Sequence, residues 1–200
     1  MADPIDFYFD FSSPYGYFAS TQIDRIAAKH GREVAWRPIL LGAVFKVTRQ
    51  QPLPTIPLKG DYARHDLARS ARLFGVPFTF PSKFPVATQA ASRAFYWVQD
   101  ADRALAVKLA QALYRAYFAE DRDISSPEVT ADVASRLGID RAALLAALSD
   151  PAVKERLKSE VDVAIARGVF GSPYIVIDGE PFWGSDRLDQ VEKWLATGGW

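Results

Sequence analysis

Ile5-Asp6-Phe7-Tyr8-Phe9-Asp10-Phe11 runs directly into Ser12-Ser13-Pro14-Tyr15. Phenylalanines at 7, 9 and 11 put a large apolar group on every second residue, the period of a strand with one buried face. Ser12, Ser13 and Pro14 stop that pattern. Serine before proline has the chemistry of a helix start: the hydroxyl accepts from an unpartnered N–H, and proline suits the first helical position. Tyr15 to His30 then carries Phe18, Ile23, Ile26 and Ala27 at helical spacing and halts at Gly31. Glu33 to Pro38, with Val34 and Trp36, reads as a second short strand. Strand, helix and strand within about 35 residues make a βαβ unit, whose strands lie parallel.

Beyond Leu41 the pattern changes. Residues 46–60 hold Pro52, Pro54 and Pro57 with few periodic apolar positions, and predict a long irregular loop. Helices are predicted over Tyr62–Phe74, Val86–Gln99, Arg103–Ala119, Pro127–Leu137, Arg141–Leu148 and Ala152–Arg167, with Ser126-Pro127 and Asp150-Pro151 as capped starts. After Gly168 the chain returns to strands: Tyr174–Asp178, an Asp178-Gly179 hairpin turn, and Glu180–Trp183. Ser185 to Leu195 closes the chain as an amphipathic helix. The order β-α-β, helices, β-β-α is that of an α/β thioredoxin fold with an all-helical insertion. The expected division is 1–41 with 168–200 for the thioredoxin-like unit, and 42–167 for the insertion.

Composition narrows the function. The 200 residues carry 24 Lys plus Arg and 24 Asp plus Glu, a net charge of +0, so no excess charge draws nucleic acid or an anionic membrane. There is no cysteine, which removes disulfides, thiolate metal sites and catalysis by a protein thiol. His30 and His65, the two histidines, lack metal-ligand spacing, and no metal is expected. No basic, apolar leader and no run of about 18 apolar residues is present, so a soluble, cytoplasmic protein is expected. The motifs Gly-x-Ser-x-Gly, Gly-x-Gly-x-x-Gly and Walker A are missing. Phe95, Tyr96, Trp97, Tyr114, Tyr117 and Phe118 fall at helical spacing; most belong to a core, and a few have room to line an aromatic pocket.

In a thioredoxin-type fold the first helix starts beside the active site, where unpartnered N–H groups and the helix dipole favour an anion. Redox members place Cys-X-X-Cys there. This chain has Ser12-Ser13-Pro14-Tyr15 instead. A serine hydroxyl at that point suits a thiolate brought by a cofactor, since a free thiol, with pKa about 8.5, is little ionised at neutral pH. Ser13 before Pro14 is equally an ordinary helix cap, and the dipeptide alone leaves both readings open.

Three blocks in order, Asp6–Tyr15, Gly168-Val169-Phe170-Gly171-Ser172-Pro173-Tyr174 and Phe182-Trp183-Gly184-Ser185-Asp186-Arg187-Leu188, resemble 2-hydroxychromene-2-carboxylate isomerases and kappa-class glutathione transferases. The resemblance spans nearly the whole chain and implies a DsbA-like thioredoxin fold, glutathione as cofactor, a small aromatic substrate and a homodimer. It carries the serine that contacts the glutathione sulfur onto Ser13. It places a cis bond at Ser172-Pro173, with the Ser172 backbone pairing with the cysteinyl unit and Phe170 in the same block. Asp186 is then expected to bind the γ-glutamyl ammonium, and Ser185 its carboxylate. Capping explains Ser185 and Asp186 as well. Lys46 and Lys59 are the expected cations for ligand carboxylates, or else surface lysines. An asparagine the family carries after the second strand has no counterpart among Gln50, Gln51, Pro52 and Leu53.

The implied reaction is isomerisation of 2-hydroxychromene-2-carboxylate to trans-o-hydroxybenzylidenepyruvate, a step in aromatic-hydrocarbon breakdown. One rival keeps the site but conjugates glutathione or reduces a peroxide. Another is a DsbA-like binding domain that lost its cysteines.

Overall fold

A computed structural model describes residues 3–200. Strand β1 (Ile5–Phe9) lies at the centre of a four-stranded sheet of order β2-β1-β3-β4, with β2 spanning Val34–Pro38, β3 Tyr174–Ile177 and β4 Glu180–Trp183. β1 and β2 are parallel, Ile5 facing Val34 and Phe9 facing Pro38. β3 is antiparallel to β1, with Phe7 opposite Ile175, and to β4. Alternation along β1 decides what each face meets. Phe7 and Phe9 stack at 5.3 Å between centroids and both meet Trp36 edge-on, at 5.0 and 5.3 Å. Tyr8 points the other way, into a smaller apolar cluster with Ile39, Val44 and Tyr174. Asp178 and Gly179 both take positive φ, 52° and 93°, as a two-residue hairpin of this twist requires. Pro181 sits on edge strand β4, where its missing N–H breaks no ladder.

Helices fill the rest: α1 (Pro14–Ser20), α2 (Ile23–Lys29), α3 (Leu41–Thr48), α4 (Lys59–Phe74), α5 (Gln89–Ala101), α6 (Arg103–Phe118), α7 (Pro127–Ser135), α8 (Arg141–Ser149), α9 (Pro151–Ala166) and α10 (Leu188–Thr197). Four features differ from the sequence reading by more than two residues or in kind. The helix expected over 15–30 is two, because the Ser20 and Thr21 hydroxyls donate to the carbonyls of Tyr17 and Phe18 and compete for those acceptors. The loop expected over 46–60 holds the end of α3, a 3-10 turn at Leu53–Thr55 and the first residues of α4. The helix expected from Val86 begins at Gln89, after a short non-helical run that follows a cis Phe84–Pro85 bond. The closing helix opens with a 3-10 turn at Ser185–Arg187.

One apolar core runs through sheet and helices alike. Phe9 lies 5.9 Å from Phe95 of α5 and 5.8 Å from Tyr114 of α6, and Phe11 lies 5.2 Å from Tyr114. No helix among the described residues is long and apolar enough to cross a membrane.

Candidate active site

The site forms where β1 ends. Ser13 takes extended backbone, φ −95° and ψ 111°, as the cap of α1. Its hydroxyl oxygen accepts from the Gly16 N–H at 3.0 Å and donates to the Ser172 carbonyl at 2.9 Å. The second bond joins the two serine-proline pairs, 159 positions apart in sequence. Ser172–Pro173 is a cis bond. The Asp10 N–H donates to Ser172 Oγ at 2.9 Å, and the Tyr114 hydroxyl donates to the Asp10 carbonyl at 2.9 Å. The Ser172 N–H has no partner among the described residues. These elements meet closely because residue 16 is glycine. A Cβ there would stand 2.6 Å from Tyr114 Oη and 2.8 Å from Ser172 Oγ.

Ser13, Ser172, Lys46 and Lys59 line one cleft of about 1110 Å³. That exceeds most small-molecule pockets and leaves room for two ligands side by side. Leu41, Phe45, Phe84, Pro85 and Val86 give it an apolar side, and Arg49 adds a third cation. Asp10 is the one carboxylate among the described lining residues. Three cations against one anion make the cleft suited to an acidic ligand with an apolar body.

The other expected residues lie beside the cleft rather than on it. Phe170 packs edge-on to Trp183 at 4.9 Å and so supports the indole that lines the cleft. The Pro173 carbonyl accepts from the Gly184 N–H at 3.0 Å, which ties the cis loop to the turn bearing Ser185 and Asp186. Ser185 is buried; Asp186 is exposed and 3.6 Å from the Arg187 guanidinium.

Several residues of the site went unnoticed in the sequence. Tyr15 lines the cleft and its hydroxyl donates to Asp66 of α4 at 3.1 Å. Burial first, then Asp66 and, more weakly, Asp186, push the Tyr15 phenol up, so it stays a donor. Arg49 lay in the segment read as loop. Asp10 is 2% exposed and accepts from the Ser12 N–H at 2.7 Å and the Leu41 N–H at 2.6 Å, with the Thr88 side chain beside it. Burial pushes its carboxyl up to about 6 against the pull of those donors. A charged residue between Phe9 and Phe11 was the available signal.

Residues 4–196 match the DSBA-like thioredoxin domain. The chain belongs to the DsbA-like thioredoxin family. It is 32% identical over 192 residues to a 2-hydroxychromene-2-carboxylate isomerase of Pseudomonas putida, covering 94% of this chain and 92% of that protein. Against glutathione S-transferase kappa 2 of Caenorhabditis elegans it is 31% identical over 205 residues, covering 96% and 91%. A solved 2-hydroxychromene-2-carboxylate isomerase structure matches with a TM-score of 0.87 at 31% identity, over 97% of this chain and 95% of that one. The resemblance read from the three sequence blocks, to the isomerases and kappa-class transferases, is thereby borne out, and so is the fold. This family member has no cysteine, so its site offers no thiol of its own.

Proposed function

We propose that the chain is a glutathione-dependent isomerase that interconverts 2-hydroxychromene-2-carboxylate and trans-o-hydroxybenzylidenepyruvate. The observation that carries this reading is the Ser13–Ser172 hydrogen bond at the head of a cationic, cysteine-free cleft. The donor set fits a cysteinyl peptide. Ser172 offers an unpartnered N–H beside a carbonyl, α1 begins at Ser13, and Lys46, Arg49 and Lys59 suit carboxylates. Bound glutathione would supply a thiolate that adds reversibly to the conjugated alkene, so that the former double bond rotates before elimination restores it.

The chain's residues then have separate tasks. A hydroxyl has one proton to donate, and Ser13 gives it to the Ser172 carbonyl. A ligand amide N–H that pairs with this carbonyl weakens it as an acceptor and seats the sulfur within reach, and the Ser13 hydroxyl then donates to the thiolate, the stronger acceptor. Sulfur activation is thereby tied to a correctly seated cysteinyl backbone. Lys46 and Lys59 hold the substrate carboxylate and offset negative charge building on the pyruvoyl oxygen. Phe170 and Pro173 hold the cis loop, while Ser185 and Asp186 take the γ-glutamyl end. The same reading keeps the expectation of a cytoplasmic homodimer.

Turnover of each isomer is followed by absorbance with and without glutathione, in wild type and Ser13→Ala. Glutathione-dependent turnover that falls by about 10²-fold in the variant is expected, the usual effect of removing one donor from a developing anion. No glutathione-dependent turnover of either isomer sinks the proposal. The similarity to a kappa-class transferase, at 31% identity, supports a second reading in which glutathione stays on an electrophile. Conjugation of an aryl halide faster than isomerisation would select it.

A further inference from the structure

Three segments far apart in sequence meet at the Asp10 carboxylate. Ser12 precedes α1, Leu41 opens α3, and Thr88 sits at the start of α5. Neither α3 nor α5 has a side-chain cap of its own: Leu40 cannot supply one, and Thr88 makes no capping bond. A helix start left unpartnered indoors is unfavourable, and Asp10 provides the acceptor that α3 lacks. Each segment continues into the cleft lining, through Ser13, through Leu41 and Gly42, and through Val86 to Gln89.

We propose that Asp10 is a positioning residue that holds these three walls of the cleft in register, and that its ionised form is the one competent to bind ligand. An ionised carboxylate accepts at both oxygens, serving Ser12 and Leu41 together. A protonated one turns one oxygen into a donor, and one of the two N–H groups loses its acceptor. Its wall loosens while the overall fold, relieved of a buried charge, grows more stable. A merely structural residue would move binding and stability in the same direction.

The groups facing Asp10 leave it free to act in this way. From α6 come Tyr114 and Tyr117, whose phenols burial pushes up and keeps neutral. Lys46 of α3, Arg49 and Lys59 of α4 share the cleft, and none is among the groups bonded to Asp10. The transition falls near pH 6, where burial has carried the Asp10 carboxyl. His65 of α4 and His30 at the end of α2, the two histidines, supply the control.

The test uses the full chain and S-methylglutathione, which has no thiol to ionise, and it rests on the glutathione reading for its ligand. Calorimetric affinity is measured from about pH 7.5 to about pH 5 for wild type, Asp10→Asn and the His30→Gln/His65→Gln double variant, with unfolding free energy over the same range. Wild type and the histidine variant are expected to lose about tenfold in affinity on acidification, the worth of one hydrogen bond, while gaining stability. Asp10→Asn is expected to show neither inflection. An inflection that survives in Asp10→Asn, vanishes in the histidine variant, or moves with stability overturns the proposal. Should S-methylglutathione not bind at all, the glutathione reading fails and NMR decides this one. The same NMR titration serves if Asp10→Asn does not fold. The Ser12 and Leu41 amides must then titrate with the Asp10 carboxyl carbon, and amides that stay fixed overturn it.

Discussion

A carboxylate withdrawn from water holds its proton more tightly unless donors make up the loss. At Asp10 they make up only part of it, and the pKa rises from its ordinary 3.8 to about 6. Unfolding returns it to 3.8, so the folded chain binds this proton more strongly than the unfolded one. The Asp10 contribution to stability is therefore fully present below pH 3.8 and is lost as pH rises through 6, a change of about 3 kcal/mol. Urea unfolding of wild type and Asp10→Asn from about pH 8 to about pH 4 is expected to show wild type gaining on the variant by up to that amount. A constant gap would mean that the Asp10 carboxylate is solvated. Asp10 was hard to read from sequence for a physical reason. Read as a strand, residues 5–11 put it on the face opposite Phe9 and Phe11, where a charge is unremarkable. Its burial comes from Leu41 and Thr88, which no local pattern brings near. Ser13 and Ser172 were legible because each precedes a proline at a point where a periodic pattern stops.

At the scale of elements, the strands and most helices followed from periodicity and caps, and the exceptions were set by tertiary contacts or, at the break between α1 and α2, by the local bonds of the Ser20 and Thr21 hydroxyls. The Asp178-Gly179 turn and the starts of α7 and α9 were readable because each is a local matter of two or three residues. Ser126 accepts from the Val129 N–H and Asp150 from the Ala152 N–H, as such caps do. The start of α3 was not readable, because its cap comes from Asp10 and not from Leu40. The approach of α1 to the cis loop depends on Gly16 in the same non-local way. Gly16→Ala forces its methyl against Tyr114 and Ser172 and is expected to destabilise by about 1–3 kcal/mol while weakening S-methylglutathione binding. Gly42→Ala on α3 meets nothing within 4 Å and is expected to be stabilising by up to about 1 kcal/mol, since alanine is the better helix former. Thermal unfolding and calorimetry of the pair test both; equal effects at the two glycines would contradict the close packing of α1.

Across the whole molecule, the division into 1–41 with 168–200 and 42–167 is a proposal about chain topology, and cooperativity is a separate question. Two units unfold independently only when few apolar contacts cross between them. Here β1 supplies Phe9 and Phe11 to the same cluster as Phe95 and Tyr114 of the helical part. Tyr96 of α5 also donates to the carbonyl of Pro38 at the end of β2. Separating the parts would bare the aromatic face of the sheet to water, at a cost that scales with the apolar area exposed. One transition is therefore expected, with far-ultraviolet circular dichroism, dominated by helices, and tryptophan fluorescence, which includes Trp36 on β2, coincident in urea. Phe95→Ala removes the ring that touches Phe9 and is expected to shift both signals together, by about 3–5 kcal/mol. If the helical signal moved alone and the Trp36 environment survived to higher urea, the sheet would be holding itself together, and the two-part division would be energetic as well as topological.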